Sequence, residues 1–182
     1  MVLGLPSIFL ALRRGLSRTA RSWFGVLQFS VQADHVHMIV EARDRPSLSR
    51  GMTGLSVRLA RALNHALDRR GRVWGERYHS RALRTPREVR NALIYVLMNR
   101  RKHTGGATPP LVRGFDVCSS AWWFEGWVHP PSSGPPLPVD VPPVMPAQTW
   151  LAATGWKFYG LIRTDESPNL PKHGTRPRAT SP

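Results

Sequence analysis

Proline is distributed unevenly along the chain, and this constrains the fold more than any other feature. Of the 17 prolines, 14 lie after residue 103. Proline fixes φ and has no backbone N–H, so a proline-dense stretch disfavours regular helices and sheets. Residues 130–146 hold eight prolines and predict an extended linker. The sequence therefore predicts a compact domain over residues 1–103 and a Pro-rich, largely irregular C-terminal extension over residues 104–182.

Two aromatic patches interrupt this extension, at residues 121–127 and 149–162. Both are too aromatic for a solvated tail, so we expect each to dock on the domain or on a partner. Residues 167–182 are polar and Pro-rich and are predicted to be disordered.

Positive charge belongs almost entirely to the front of the chain. Residues 1–103 carry 20 of the 26 Lys and Arg residues and 6 of the 11 Asp and Glu residues, which is +14 of the net +15. Only three of the 26 are lysines, and guanidinium binds phosphate through a planar fork. The charge favours a polyanionic partner, with nucleic acid first and an anionic membrane surface as the alternative.

Cys118 is the single cysteine, and no run of about 20 apolar residues exists to span a bilayer. These features argue against disulfide-stapled secreted proteins and membrane proteins. Residues 1–24 are acid-free and Arg-rich like a targeting peptide, but their apolar spacing fits an amphipathic helix equally well. We expect a reducing, cytoplasmic location.

The front domain reads as a helix followed by a hairpin. Pro6 and Ser7 are suited to a helix start, and Gly25 is suited to its end. Residues 26–31 and 35–42 then predict two antiparallel strands. Alternation in the second strand places Val36, Met38 and Val40 on one face and His35, His37, Ile39 and Glu41 on the other.

Helical character resumes over residues 46–70, and residues 73–83 have strand composition. Thr85, Pro86 and Glu88 form a capping-box start for the last helix of the domain. This helix has an apolar stripe of Val89, Leu93, Val96 and Leu97 and a polar face of Glu88, Asn91, Tyr95, Asn99 and Lys102.

The two histidines His35 and His37 lie on one face of one strand, about 7 Å apart at the backbone. Two imidazoles at this spacing can converge on one divalent ion, and Mg or Mn is acceptable where substrate phosphate completes the site. The alternative is an exposed or core-edge pair without metal.

Tyr95 and Asn99 are four residues apart and share a helix face. The amide offers a metal an uncharged oxygen, and the phenol is a nucleophile that can attack phosphorus once a base or a cation activates it. The alternative is a surface tyrosine beside a capping asparagine.

Arginines on the second helix have no acidic neighbours, since no Asp or Glu lies between Asp44 and Asp68. A solvated charged face is one interpretation; contact with a nucleic-acid backbone, with bases stacked on an aromatic ring, is the other. The candidate nucleic-acid-binding residues are Arg50, Arg58, Arg61, Arg77, Arg81, Arg84, Trp74 and Tyr78, of which Trp74 is equally a core candidate.

In their order and spacing, four segments resemble the single-tyrosine HUH transposases: QADHVHMIVEA, LSRGMTGLSVRLARALN, RVWGERYHSRAL and REVRNALIYVLMNRRKH. The resemblance covers about residues 5–103 and is closest to the REP-associated tyrosine transposases, which are related to the insertion sequence 200-like enzymes. The later TWLAATGWKFYGLI segment resembles a C-terminal segment of some members.

The resemblance implies an α+β, ferredoxin-like domain with an antiparallel sheet and helices on one face. It implies an enzyme that cleaves and rejoins single-stranded DNA beside hairpins through a 5′-phosphotyrosine. His35, His37 and Asn99 would be ligands of Mg or Mn, and Tyr95 would be the nucleophile. We expect a nucleoid-associated monomer or homodimer.

One departure from the family concerns the N-terminus, where only Met1-Val2-Leu3 precedes the segment that usually follows a first strand. We therefore expect that strand to be missing. Two other functions stay open: a catalytically inactive or repurposed protein that binds hairpin DNA, and a histidine-metal hydrolase without a tyrosine intermediate.

Overall fold

The fold is seen in a computed structural model that describes residues 6–98, 111–112, 115–135 and 141–166. Its helices are α1 (Pro6–Ser17), α2 (Arg45–Ala66), α3 (Pro86–Met98) and α4 (Trp150–Ala153). Its strands are β1 (Phe24–Val31), β2 (Val36–Ala42), β3 (Leu111–Val112) and β4 (Phe115–Asp116). Two 3₁₀ helices span Ser120–Trp123 and Gly155–Tyr159.

Strands β1 and β2 form the predicted antiparallel hairpin, in which Ser30 is paired with His37. A bulge between Val26 and Gln28 interrupts the register. Strands β3 and β4 make a second antiparallel pair. Helices together with antiparallel strands confirm the α+β class, whereas the ferredoxin-like topology stays a prediction.

The first face of the hairpin is packed against α1 and α2. Val36, Met38 and Val40 contact a cluster that includes the fully buried Phe9 and Leu63, as the predicted alternation requires. Helix α2 is capped by Asp44, whose carboxylate accepts a hydrogen bond from the Ser47 N–H at 2.7 Å. We call this surface the α1/α2 face.

The second face of the hairpin is packed against α3 and the C-terminal aromatic patches. Ile39 of β2 belongs to a cluster with Leu93 of α3, and the extension adds Phe124, Trp127 and Trp156. We call this surface the α3 face. Docking of both aromatic patches is thereby confirmed. The expectation of helices on only one face is wrong, because both faces of the hairpin are apolar and each needs a cover.

The outer edge of β1 is covered by the extension. Val31 N–H donates to the Cys118 carbonyl at 2.8 Å, and Met145 N–H donates to the Val26 carbonyl at 2.9 Å. Met145 lies directly over Gly25, where an added Cβ would lie 1.5 Å from its sulfur. The end of the Pro-rich stretch is therefore docked on the sheet rather than serving only as a spacer.

Two predicted elements differ from the structure. Helix α1 ends at Ser17 rather than near Gly25, because Thr19 closes the helix through bonds to the Gly15 and Leu16 carbonyls and Phe24 pairs with Ala42. Residues 73–83 do not form a strand, because no described strand lies beside them. Within the described part of the chain, no helix is long and apolar enough to span a membrane.

Candidate active site

The two histidines converge at the start of β2. His35 immediately precedes the strand and His37 is its second residue. Their Nε2 atoms are 2.9 Å apart, and the rings are nearly perpendicular with centroids 4.5 Å apart. The structure thus brings the predicted pair together, with the two Nε2 atoms within hydrogen-bond distance of each other.

Asp34 orients this pair, and the sequence analysis missed it. Its carboxylate lies 2.6 Å from Nδ1 of His35 and can only accept, so the Nδ1–H donates and the ring is held with Nε2 facing His37. The backbone of the turn is held by a bond from the Gln32 N–H to the His35 carbonyl at 2.8 Å. The signal available in the sequence was an acid directly before a histidine that would need an orienting partner.

Tyr95 approaches the histidines from α3. Its phenolic oxygen lies 3.4 Å from Nε2 of His37, and the two rings meet edge to face with centroids 4.9 Å apart. Leu93 and Val96, which flank Tyr95 in the helix, are buried in the α3 face and fix the rotation of α3. A single nitrogen of His37 is therefore within reach of both His35 and Tyr95.

The start of α3 is fixed by the predicted capping box. Glu88 N–H donates to the Thr85 hydroxyl at 3.2 Å, and the Glu88 carboxylate accepts from the Arg84 and Thr85 N–H groups at 2.7 and 3.2 Å. The hydrogen bond from Arg84, followed by that from Thr85 and the charges of Arg81 and Arg84, outweighs partial desolvation and lowers the pKa of Glu88.

Of the three predicted metal ligands, the structure describes His35 and His37. Asn99 lies outside the described residues, one helical turn beyond Tyr95. Within the described ranges, no group of three His, Cys, Asp or Glu side chains is arranged to hold a metal. The two imidazoles, with Nε2 atoms converging and Nδ1 of His35 already bonded to a carboxylate, fit two of the ligands of a divalent ion.

The arginine side chains of α2 differ in their exposure to solvent and in their contacts. Arg61 is exposed, and the exposed Arg50 places its guanidinium 5.0 Å from the ring centre of Trp23. Arg58 is half-buried and donates to the Thr19 hydroxyl at 2.9 Å. Burial, and then repulsion from Arg21, lowers the pKa of Arg58.

Residues 72–84 form an extended arm beside α2. Arg77, Tyr78, Arg81 and Arg84 are exposed on it. Trp74 is half-buried against the α1/α2 core, and its indole N–H donates to the Ser56 carbonyl at 2.9 Å. Trp74 therefore anchors the arm, and the exposed ring on it is that of Tyr78.

Two contacts that the sequence analysis did not anticipate tie the C-terminal segment to the elements of the site. Glu41 of β2 accepts hydrogen bonds from the N–H groups of Gln148 and Thr149 at 2.6 and 3.0 Å. Arg90 of α3 makes two 2.8 Å bonds to the Glu166 carboxylate. Neither contact has a local sequence signal, because the partners are 76 or more residues apart.

Comparison with known proteins gives a family match to part of the chain. No curated protein and no solved structure matches the chain. Residues 13–96 match the family model described as "Transposase IS200 like". This span includes α1 from its middle, the hairpin, α2 and α3 as far as the residue after Tyr95. Over these residues the chain is similar to the IS200-like transposases.

Proposed function

We propose that this protein is a transposase that cleaves and rejoins single-stranded DNA through a covalent bond to Tyr95. The observation that carries the proposal is the convergence of Tyr95 on His37 and His35, from two elements 58 residues apart in sequence. The family match to residues 13–96 supports transposase activity in general.

A divalent ion, Mg or Mn, would be held by His35 and His37, with Asn99 as a further ligand. When bound, it would supply positive charge that polarises the scissile phosphate. Asp34 has the role of holding the His35 ring in the orientation that leaves Nε2 available. We also propose that the protein belongs to the REP-associated subgroup of the family, and this subgroup implies that the DNA substrate contains a hairpin.

The reaction proposed for Tyr95 is a transesterification. The phenol loses its proton, a bond forms between its oxygen and phosphorus, and the bond between phosphorus and the 3′ oxygen breaks. The departing 3′ oxygen takes up a proton and is released as a hydroxyl. The 5′-phosphotyrosine keeps the energy of the phosphodiester bond, so the reverse attack by a 3′-hydroxyl rejoins the strand without ATP.

Arginine side chains have the role of holding the DNA backbone. Arg50 and Arg61 of α2 and Arg77, Arg81 and Arg84 of the neighbouring arm are exposed, and guanidinium groups pair readily with phosphate. Tyr78 is the exposed ring of this arm on which a base can stack.

The test is to incubate the protein with labelled single-stranded hairpin DNAs and Mn or Mg, and to separate the products on a denaturing gel. A DNA-bearing protein band should require metal and disappear in Tyr95→Phe, while Tyr95→Phe still binds the DNA. The matched control is Asn91→Ala, an exposed change one turn earlier on α3, which should leave the band in place.

Two outcomes would replace the proposal with an alternative. Binding of hairpins with no covalent band under any metal would indicate an inactive or repurposed hairpin-binding protein. Metal-dependent cleavage that persists in Tyr95→Phe would indicate a histidine-metal hydrolase.

A further inference from the structure

The C-terminal aromatic segment has two sides with opposite surroundings. Trp156 and Ile162 are buried in the α3 face. Trp150, Phe158 and Tyr159 are instead 59%, 79% and 50% exposed. Large rings left together at a surface commonly mark a binding site, since burying them would otherwise stabilise the fold.

These exposed rings are mounted on a fixed backbone. The Arg90 guanidinium donates to the carbonyls of Gly160 and Leu161 at 3.1 and 3.2 Å. Trp150 lies against Gly155, where an added Cβ would be 2.7 Å from the indole ring, and its ring centre is 6.1 Å from that of Phe158. The rings are therefore positioned by their own segment and by α3, rather than projecting from a free tail.

Positive charge is placed beside these rings. The Arg87 guanidinium lies 5.3 Å from the ring centre of Tyr159, and Lys157 is exposed on the same 3₁₀ helix. The nearby carboxylates of Asp165 and Glu166 form ion pairs with Arg163 and Arg90. Arg87 and Lys157 are therefore two cations of this surface that an anionic ligand can contact.

We propose that Trp150, Phe158 and Tyr159, with Arg87 and Lys157, form an aromatic platform that binds single-stranded nucleic acid. Bases stack on the exposed rings, and the two cations contact phosphates. Sequence-tolerant binding follows, because every base offers a π-face.

One member of the platform, Arg87, lies on the same helix as the candidate nucleophile. Arg87 precedes Tyr95 by eight residues, which is about 12 Å along the axis of α3. A strand held on the platform would therefore run close to the candidate active site. This inference rests on the proposed function for the identity of the strand as DNA. It adds a second DNA-contacting surface to the one formed by the arginines of α2 and of the arm.

The first experiment measures binding of the full chain to fluorescent, unstructured single-stranded DNA by anisotropy, in the absence of divalent metal. Phe158→Ala should weaken binding about 10-fold, because stacking on one ring is lost. Phe158→Trp should restore it. The matched control is Val141→Ala, since Val141 is 57% exposed and lies outside the platform.

An abasic oligonucleotide of the same length isolates the stacking contribution. It keeps the phosphates and lacks bases, so Phe158→Ala and the unaltered protein should bind it equally. Arg87→Gln should lower the slope of log affinity against log salt by about one on both DNAs, whereas Phe158→Ala should leave that slope unchanged.

The proposal is overturned if Phe158→Ala and Trp150→Ala bind base-bearing DNA as tightly as the unaltered protein does. It is also overturned if their affinity for the abasic strand falls by the same factor as their affinity for the base-bearing strand. If the unaltered protein binds anionic phospholipid vesicles, and Phe158→Ala and Trp150→Ala lose that binding but keep DNA binding, the surface would be assigned to a membrane instead. Because these assays contain no metal and need no cleavage, their outcome is separate from that of the Tyr95→Phe test.

Discussion

The two faces of the β1–β2 hairpin are covered in different ways. Helices α1 and α2, which cover the first face, flank the hairpin directly in sequence, and their contacts with it are largely apolar. The α3 face is completed by residues 115–127 and 145–162, which come long after the hairpin, and it carries His37 and Tyr95.

Polar contacts also join the extension to the hairpin. Ser120 accepts a bond from the Phe29 N–H at 2.8 Å and donates to the Gln28 side chain at 2.7 Å. The Trp127 indole N–H donates to the Ala121 carbonyl at 2.9 Å. We therefore expect the α1/α2 face to contribute mainly to the stability of the domain. Substitutions in the extension are expected to affect the candidate site through the α3 face.

The largest expected effect is loss of a ring from the α1/α2 face. Phe29 is fully buried and its ring centre is 6.5 Å from that of Phe9. Phe29→Ala should lower the free energy of unfolding by about 3–5 kcal/mol, measured by denaturant titration, because it leaves a cavity. Val57→Ala, an exposed change on α2, is the control and should alter it by less than about 0.5 kcal/mol. A loss below about 1 kcal/mol for Phe29→Ala would contradict this packing.

A smaller and more local effect is expected on the α3 face. Ile162 is fully buried, and its backbone bonds to Gly126 and Val128. Ile162→Ala should cost about 3 kcal/mol. By hydrogen exchange, amides of α3 should lose protection before those of α1 and α2 do. The neighbouring Leu161→Ala is the control, since Leu161 is exposed; equal loss of protection in all three helices would mean that the faces are not separable.

Elements with local signals were predicted well from the sequence. The capping box of Thr85 and Glu88 gave the start of α3, and alternation in β2 assigned Val36 and His37 to opposite faces. The joining of His35, His37 and Tyr95 into one candidate site came from the resemblance to the single-tyrosine HUH transposases and not from these patterns. Periodicity reports which face of an element is buried, and that is enough when neighbouring elements cover each other.

Elements that depend on distant partners were not predicted. Residues 73–83 have strand composition, but a strand needs a neighbour and none is described beside them. Cys118 and Met145 cover the edge of β1, and Thr149 is hydrogen-bonded to Glu41. Each of these contacts joins residues more than 80 apart in the sequence. Because no local rule encodes such pairings, residues 130–146 were assigned as linker although their end, at Met145, is docked on β1.

The ion pair between Arg90 and Glu166 gives a pH-dependent test of the α3 face. Burial alone would raise the pKa of Glu166, but hydrogen bonds from Arg90 and from the Arg163 N–H outweigh it and lower the pKa below its ordinary value of 4.5. A lowered carboxylate pKa adds stability that is complete above 4.5 and is lost as the pH falls through the lowered pKa.

Glu166→Gln should therefore destabilise the protein by about 1–2 kcal/mol at pH 7, because a charged acceptor of Arg90 is removed. The difference from the unaltered protein should shrink as the pH falls below 4.5, in denaturant titrations at several pH values. Asp165→Asn removes a more exposed partner, that of Arg163, and should cost less than about 1 kcal/mol. A constant difference across this pH range would rule out the ion pair as its source.

The smallest expected effect concerns the start of the tyrosine helix. The Thr85 hydroxyl accepts a bond from the Glu88 N–H, so Thr85→Ala should cost about 1 kcal/mol in the free energy of unfolding. Thr53→Ala is the control: Thr53 is exposed in the interior of α2, where alanine favours the helix slightly. Because the first turn of α3 begins nine residues before Tyr95, fraying there should leave the contact of Tyr95 with His37 intact. Thr85→Ala should therefore lower stability without lowering the yield of the covalent band, and a variant that lost the band would show that the cap also sets the position of Tyr95.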